Sequence, residues 1–370
     1  MEKILLISFE YPTGKVYCGG AGQIVERSRN ALLALGYEVY VLISSEFTRK
    51  HPVKLLLPDD LLKNYRSLGA FLKDYGWHKF ATIIHHFVNW TGELKRIKTG
   101  KGRRPRIIYH FHSILRREKD SGLRTLNHFL LRQEKMIALA DRIVCPSLYE
   151  YDNFCRYFPS FIDKVSVIEN TIETYSPDKR RIEEIKERLG IRQRDVVSLY
   201  VGRLERIKGA HILLNEAPGI LGRHRHLKFI FIGKSLEKDL YAKLLQICRK
   251  FQRQFFYIRY MEKRELFQYY YLSNIYINSS LSESFSLSTH EGALCNNALL
   301  LNRLPVFEKF KDAALFFSAK EKNFSAKYES LIRDASLRNR ISRRAGIIAN
   351  QFLDHNRLKE DLRKLFAARP

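Results

Sequence analysis

Residues 279–294 read Ser-Ser-Leu-Ser-Glu-Ser-Phe-Ser-Leu-Ser-Thr-His-Glu-Gly-Ala-Leu. Two carboxylates, Glu283 and Glu291, sit in a stretch otherwise rich in hydroxyls. The apolar run at 275–277 just before it reads as a buried strand, and from about Ser286 the pattern suits a helix with Leu287 and Leu294 on one face. A helix N-terminus presents unpaired N–H groups and partial positive charge, which suits an anion. Carboxylates do not suit phosphate, but they do suit hydroxyls. The stretch therefore fits a ligand carrying both a diphosphate and sugar hydroxyls. A plain surface loop followed by an amphipathic helix, with both glutamates solvated, would use the same residues. The rest of the chain has to discriminate.

Further groups of the right chemistry follow other strands. Gly202-Arg203-Leu204 and Lys208-Gly209 come after an apolar run at 196–201. A guanidinium can grip diphosphate oxygens as a fork, and an ammonium adds a compact charge. His110 and His112 lie at the end of a strand at 107–111, where side chains of parallel sheets meet ligands. A hydrogen-bonded core histidine is an equal reading for His110. Near the N-terminus, Gly14, Gly19, Gly20 and Gly22 precede a helix at 23–35 closed by Gly36. That loop is similar to a phosphate cradle, but the dinucleotide-binding spacing is missing.

These groups need scaffolding, and the chain supplies it. Strand, glycine loop, helix and strand follow one another within the first 43 residues, a βαβ unit. Strands alternating with helices continue through the strand at 275–277, and the last helices, after Ser325, are basic and amphipathic. We expect an amphipathic helix over 55–72, an exposed basic loop over 95–106 and a helix over 124–139. In the second half, a strand at 165–168 comes first. Ser176, Pro177 and Asp178 then supply an N-cap, a first-turn proline and a first-turn acid for the next helix. At 370 residues, two domains are the better expectation.

Composition limits the rest. The formal charge of +26 implies an anionic partner: nucleic acid, an acidic membrane face or a charged substrate. Five scattered cysteines without metal spacing read as reduced thiols of a cytoplasmic protein. No apolar run approaches the roughly 18–20 residues that span a bilayer. The run at 4–7 is too short for the apolar core of a signal peptide and reads as the first strand.

Taken in order, the motifs resemble those of the retaining nucleotide-sugar glycosyltransferases of the large glycogen-synthase-like family four (glycosyl transferases group 1). The resemblance runs along nearly the whole chain. It rests on Gly19-Gly20-Ala21-Gly22, residues 31–39, His112-Ser113, residues 170–173, Gly202-Arg203-Leu204, Lys208-Gly209, and Glu283-Ser-Phe-Ser-Leu through Glu291. It implies an α/β chain of the GT-B fold, with two Rossmann-like α/β/α domains facing each other across a cleft. Residues 1–162 would bind acceptor, 163–345 would bind the nucleotide-sugar, and 346–370 would be a helical segment packing back on the N-terminal domain. His112, Arg203, Lys208 and Glu283 would be catalytic. Gly19, Gly20, Arg203, Lys208, Ser284, Phe285, Ser286, Leu287 and Glu291 would bind the donor, Glu291 at the ribose. No cofactor or metal is expected, because there is no Asp-x-Asp motif and cations stand in for a metal. The acceptor would be a glycan, a glycolipid or a small molecule, as in polysaccharide biosynthesis. The basic surface would serve solubility, an anionic acceptor or peripheral contact with an anionic membrane.

The chain departs from the family at three places. Tyr17 replaces the lysine of glycogen synthases, which argues against a glucan synthase. Phe285-Ser286-Leu287 replaces Phe-Gly-Leu, so the backbone there is expected to avoid glycine-only angles. Residues 295–299, Cys-Asn-Asn-Ala-Leu, replace Cys-Gly-Thr-Pro-Val, with asparagine able to take left-handed angles. Rival readings are a nucleotide-sugar epimerase on the same fold, an inactive scaffold, and a basic nucleic-acid-binding protein. The last shows no known nucleic-acid module and would set its glutamate pair against phosphate.

Overall fold

The structure, a computed structural model, describes residues 1–12, 19–44, 51–100, 102, 104–122 and 126–367. The chain divides into two compact units: Met1–Thr171 with Asp354–Pro370, and Ile172–Leu353.

The first unit holds β1 (Lys3–Ser8), β2 (Glu38–Ile43), β3 (Val53–Leu56), β4 (Leu62–Tyr65), β5 (Thr82–His85), β6 (Arg106–His110), β7 (Arg142–Cys145) and β8 (Val165–Val167). Their order across the sheet is β4-β3-β2-β1-β5-β6-β7-β8. All pairings are parallel except β2 with β3 and β3 with β4. Ile4, Leu5, Leu6 and Ile7 are all fully buried, as expected of a parallel strand covered on both faces. On one face, Val25 and Leu32 of the helix Gly20–Ala34 join Leu358, Leu362 and Leu365 of the helix His355–Ala367 in one apolar cluster.

The expected helix over 55–72 is an antiparallel hairpin followed by a short helix, Leu68–Asp74. Val53 and Leu55 point inward while Lys54 is exposed, a period of two rather than 3.6. Pro58, Asp59 and Asp60 make the turn, with Asp60 at φ 66° and the Leu57 N–H donating to the Leu61 carbonyl at 2.9 Å. The helix waits for Ser67, whose hydroxyl accepts from the Ala70 N–H at 3.1 Å. The basic segment 95–106 is also more ordered than expected. Its first half completes the helix Thr91–Thr99, which buries Leu94, and its last residue opens β6. Lys101 and Arg103 lie outside the described residues. The expected helix over 124–139 runs Asn127–Leu139.

Strand β8, read from sequence as opening the second half, pairs with β7 and completes the first sheet. The first unit therefore runs through Thr171 rather than ending at 162. The helix Ala335–Asn350 stays with the second unit, and the return to the first comes at Asp354 rather than 346.

The second unit holds β9 (Val196–Val201), β10 (Leu227–Ile232), β11 (Phe255–Ile258), β12 (Ile275–Asn278), β13 (Ala298–Asn302) and β14 (Leu315–Phe317), all parallel, in the order β11-β10-β9-β12-β13-β14. Phe229, Phe231, Ile277 and Leu300 pack with Leu213 and Leu214 of the helix Ala210–Arg223. The helix Lys179–Leu189 is capped by Asp178 itself, accepting from the Arg181 N–H at 3.0 Å, so the cap falls two residues later than read. Strand order reverses at β1/β5 in the first sheet and at β9/β12 in the second. Such reversals open a crevice at the carboxyl ends of the strands, where ligands bind.

Candidate active site

In the second unit the two loops leaving β9 and β12 meet at that reversal. The Leu281 N–H donates to the Ile207 carbonyl at 2.8 Å, and Ser279 Oγ donates to the Lys208 carbonyl at 3.1 Å. Tyr200 Oη donates to the same carbonyl at 3.0 Å. Gly209 makes this approach feasible. It sits at φ 66°, and a Cβ there would fall 1.7 Å from the Ser279 carbonyl oxygen. The docked loops bring Lys208 to Glu283, Nζ to Oε1, at 2.8 Å, and Ser280 Oγ donates to that oxygen at 2.7 Å. Arg203, one residue beyond Gly202, lies with its Nε 3.2 Å from Glu205 Oε2. Two cations of the expected diphosphate grip thus each lie beside a carboxylate of this chain.

Glu291 lies in the helix Leu287–Leu294 and is 1% exposed. A carboxylate buried that deeply needs partners. Lys263 Nζ donates to Oε1, and Tyr270 Oη donates to Oε2 at 3.2 Å. Neither residue was singled out from sequence. Their spacing from Glu291 carries no signal, because only the fold sets the helix Lys263–Leu272 beside Glu291.

Ser286 is the N-cap of that helix and takes φ 70°, ψ 80°. The expectation that serine keeps this backbone out of the glycine region is wrong. A left-handed conformation costs a residue with a Cβ roughly 1–2 kcal/mol, so something must hold it. Asn278 Nδ2 donates to Ser286 Oγ at 2.9 Å and to Thr289 Oγ1 at 3.0 Å, and the two hydroxyls are 2.8 Å apart. Asn278 Oδ1 accepts from the Ser280 N–H at 2.9 Å. Phe285 is buried, its ring stacked on His290 at 4.2 Å. Leu287 opens the helix half-buried, and Ser284 lies in the loop before it. At the other end Asn296 takes φ 59°, so asparagine does supply the left-handed turn.

In the first unit, Gly19 and Gly20 stand at the start of the helix Gly20–Ala34. The Gly19 N–H donates to Glu10 Oε2 at 3.0 Å and the Gly22 N–H to Glu10 Oε1 at 3.2 Å. A carboxylate of this chain thus occupies the cradle that the glycine pattern suggested for phosphate. Glu10 was not foreseen; an acid just after β1 was the available signal. Tyr17, Cys18 and Gly14 lie outside the described residues. The other four cysteines are free thiols.

His112 follows β6 and belongs to a group of three imidazoles. Ring centroids are 4.7 Å apart for His86–His110, 5.5 Å for His86–His112 and 5.4 Å for His110–His112. Burial, with the neighbouring imidazoles adding for His86 and His110, holds these two well below the ordinary histidine range. Burial brings His112 down to about 4. All three are neutral at pH 7. Neutral His112 offers one N–H and one lone pair, suited to hydroxyls rather than to phosphate.

Two α/β units, each built on a largely parallel sheet whose strand order reverses, define the architecture of the GT-B glycosyltransferases. Comparison with known proteins agrees. Residues 18–175 match the model of glycosyltransferase family 4, and residues 181–346 match that of glycosyl transferases group 1. The chain belongs to the group 1 glycosyltransferases. Spore coat protein SA of Bacillus subtilis is 29% identical over 151 residues, which are 38% of this chain and 40% of that protein. Alpha-monoglucosyldiacylglycerol synthase of Acholeplasma laidlawii is 21% identical over 324 residues, 79% and 80% of the two chains. The chain thus spans less than half of the first relative and four fifths of the second. Sucrose-phosphate synthase from Thermosynechococcus elongatus superposes with TM-score 0.79 at 14% identity, covering 99% of this chain and 98% of that one. HepE of Anabaena, in complex with UDP and glucose, gives 0.75 at 16%, covering 99% and 100%. At identities this low, the two superpositions establish the shared fold alone.

Proposed function

We propose that this enzyme transfers a sugar from a nucleotide-sugar to an acceptor hydroxyl with retention of anomeric configuration and without a metal. The carrying observation is the meeting of two loops at the β9/β12 reversal. Cations Arg203 and Lys208, carboxylate Glu283 and a helix N-terminus at Leu287 gather there, with Glu291 on the same helix. In this reading the bond between the anomeric carbon and the diphosphate oxygen breaks, and the nucleotide leaves with the electron pair. Arg203, Lys208 and the N–H groups around 285–287 stabilise the charge growing on it, where preorganised donors help most. The acceptor oxygen attacks on the face the nucleotide leaves, and its proton passes to the departing phosphate. Glu291 holds the ribose hydroxyls, Glu283 faces the sugar, and His112 contacts the transferred sugar. Glu283 is held by Lys208 and Ser280, and no covalent sugar–enzyme intermediate is invoked.

The acceptor in this reading is a glycan, a glycolipid or a small molecule. The similarity to the Acholeplasma monoglucosyldiacylglycerol synthase supports a lipid. No described helix is long and apolar enough to cross a membrane. The +26 charge supports peripheral contact with anionic lipid, which co-sedimentation with anionic against neutral liposomes would test.

Incubation with a panel of UDP-, GDP- and ADP-sugars, followed for free nucleotide, tests the activity. Slow donor hydrolysis is expected. Sugar interconversion without nucleotide release would favour an epimerase, and salt-sensitive nucleic-acid binding without nucleotide-sugar binding a nucleic-acid protein. With an acceptor found, proton NMR of the product should show the donor's anomeric configuration.

A further inference from the structure

We propose that Asn278 and His290 are positioning residues for the donor diphosphate, acting through the left-handed backbone of Ser286. This rests on the donor reading given above. Ser286 stands where the resembling family has glycine, yet its backbone takes φ 70°. A glycine would take that conformation unaided; a serine has to be held there.

The structure holds it from two sides. On the side-chain side, Asn278 closes β12 and is 4% exposed. Its amide donates to both Ser286 Oγ and Thr289 Oγ1 and accepts from the Ser280 N–H. One buried side chain therefore ties together the strand end, the start of the loop, the N-cap and the helix's first turn. On the carbonyl side, His290 Nδ1 lies 2.9 Å from the Ser286 oxygen. Burial, with Lys309 nearby, brings His290 down to about 3, so the ring is neutral at pH 7. A carbonyl only accepts, so Nδ1 carries the proton and donates it. His290 is itself fixed by its stack on Phe285.

Rotation of the 286–287 peptide would re-aim the first N–H groups of the helix. Those groups are the anion-binding ones in the proposed reaction. Asn278 and His290 need not touch the ligand to govern its affinity.

The test is a double-mutant cycle read by calorimetric titration of UDP, with GDP and ADP alongside. Asn278→Ala should weaken the best-bound nucleotide about tenfold, which corresponds to about 1.4 kcal/mol. In a Ser286→Gly background the same change should cost less than about threefold, because glycine needs no holding. Unfolding temperatures of the four proteins should couple in the same sense. Thr289→Val, which removes a hydroxyl and keeps the volume, gives the same cycle if Asn278→Ala does not fold. An equal loss in both backgrounds, with wild type binding nucleotide, would overturn the positioning role. A wild type that binds none of the three nucleotides would instead overturn the donor reading, and the positioning role with it.

Discussion

Lys208 and Glu283, seventy-five residues apart in sequence, form an ion pair at 2.8 Å at the carboxyl end of the second sheet. The pair is partly exposed, 25% for the lysine side chain and 10% for the glutamate. The ammonium proposed for the diphosphate thus has a carboxylate of this chain as its partner.

That competition gives the first prediction. Glu283→Ala should tighten free nucleoside diphosphate about two- to fivefold, because a partly exposed pair is worth up to about 1 kcal/mol. Turnover of the complete donor should fall by at least about tenfold, since the sugar loses its carboxylate. Calorimetry with nucleotide and a donor-hydrolysis assay on the same variant separate the two effects. Weaker nucleotide binding would show that Glu283 does not compete for Lys208.

Glu291→Ala should weaken nucleoside diphosphate by about ten- to a hundredfold, from the loss of the charge-assisted bonds proposed to the ribose. Glu291→Gln keeps the shape and one acceptor and should lose less. If Glu291→Ala binds as wild type does, the donor lies elsewhere.

Lys263 bears on stability at the same site. Lys263→Met leaves a nearly buried carboxylate with Tyr270 alone. The fold should lose roughly 2–3 kcal/mol in denaturant titration. Adding Glu291→Gln should recover most of it; a double variant no more stable than Lys263→Met would deny the pairing its role.

Catalysis should survive chelation. Arg203 and Lys208 are proposed to do what a divalent ion does elsewhere, and no Asp-x-Asp is present. Rates measured with EDTA should match untreated enzyme. Abolition by EDTA with recovery on magnesium or manganese would reverse this part of the mechanism.

Acid should unfold the protein in a defined window. Burial lowers His85 to about 3, His112 to about 4 and His290 to about 3, and holds His86 and His110 well below their usual value. Unfolded imidazoles take up protons near pH 6.5, and these do not until lower pH. The unfolded state then binds more protons, so stability falls as pH drops from about 6.5 toward 4, by up to about 1.4 kcal/mol per pH unit for each group. Glu150 opposes the trend. Burial outweighs the Arg117 guanidinium 2.8 Å away and raises its carboxyl to about 7, so its share of stability is lost as pH rises from about 4.5 to 7. Glu150→Gln should therefore steepen the acid-side decline measured by denaturant midpoints; an unchanged slope would count against a protonated Glu150.

Much of this was legible in sequence where local pattern and tertiary demand agree. The parallel strands are short apolar runs because both faces are covered, and Gly36 at φ 86° ends its helix as its position suggests. The hairpin at β3 and β4 was misread because leucines spaced by lysines mimic a helical stripe, while the turn at 58–60 was the better guide. At the site, Arg203, Lys208, Glu283 and Glu291 stood out by motif. Lys263, Tyr270 and Asn278 did not, because a partner is chosen by which strands lie side by side, and no spacing encodes that. Ser286 misled for a related reason: propensity forbids its backbone, and buried hydrogen bonds from a neighbouring strand end override propensity.

The helix His355–Ala367 contributes Leu358, Leu362 and Leu365 to the core of the first unit, yet it is made after the whole of the second. On the ribosome the first sheet must therefore wait with part of one apolar face uncovered while about 180 further residues are synthesised, at about 5–20 residues per second. The second unit, continuous from Ile172 to Leu353, has no such dependence and can close first. Folding order can thus run opposite to the order of synthesis. Until Leu358, Leu362 and Leu365 emerge, the nascent first unit exposes the apolar surface that they will cover.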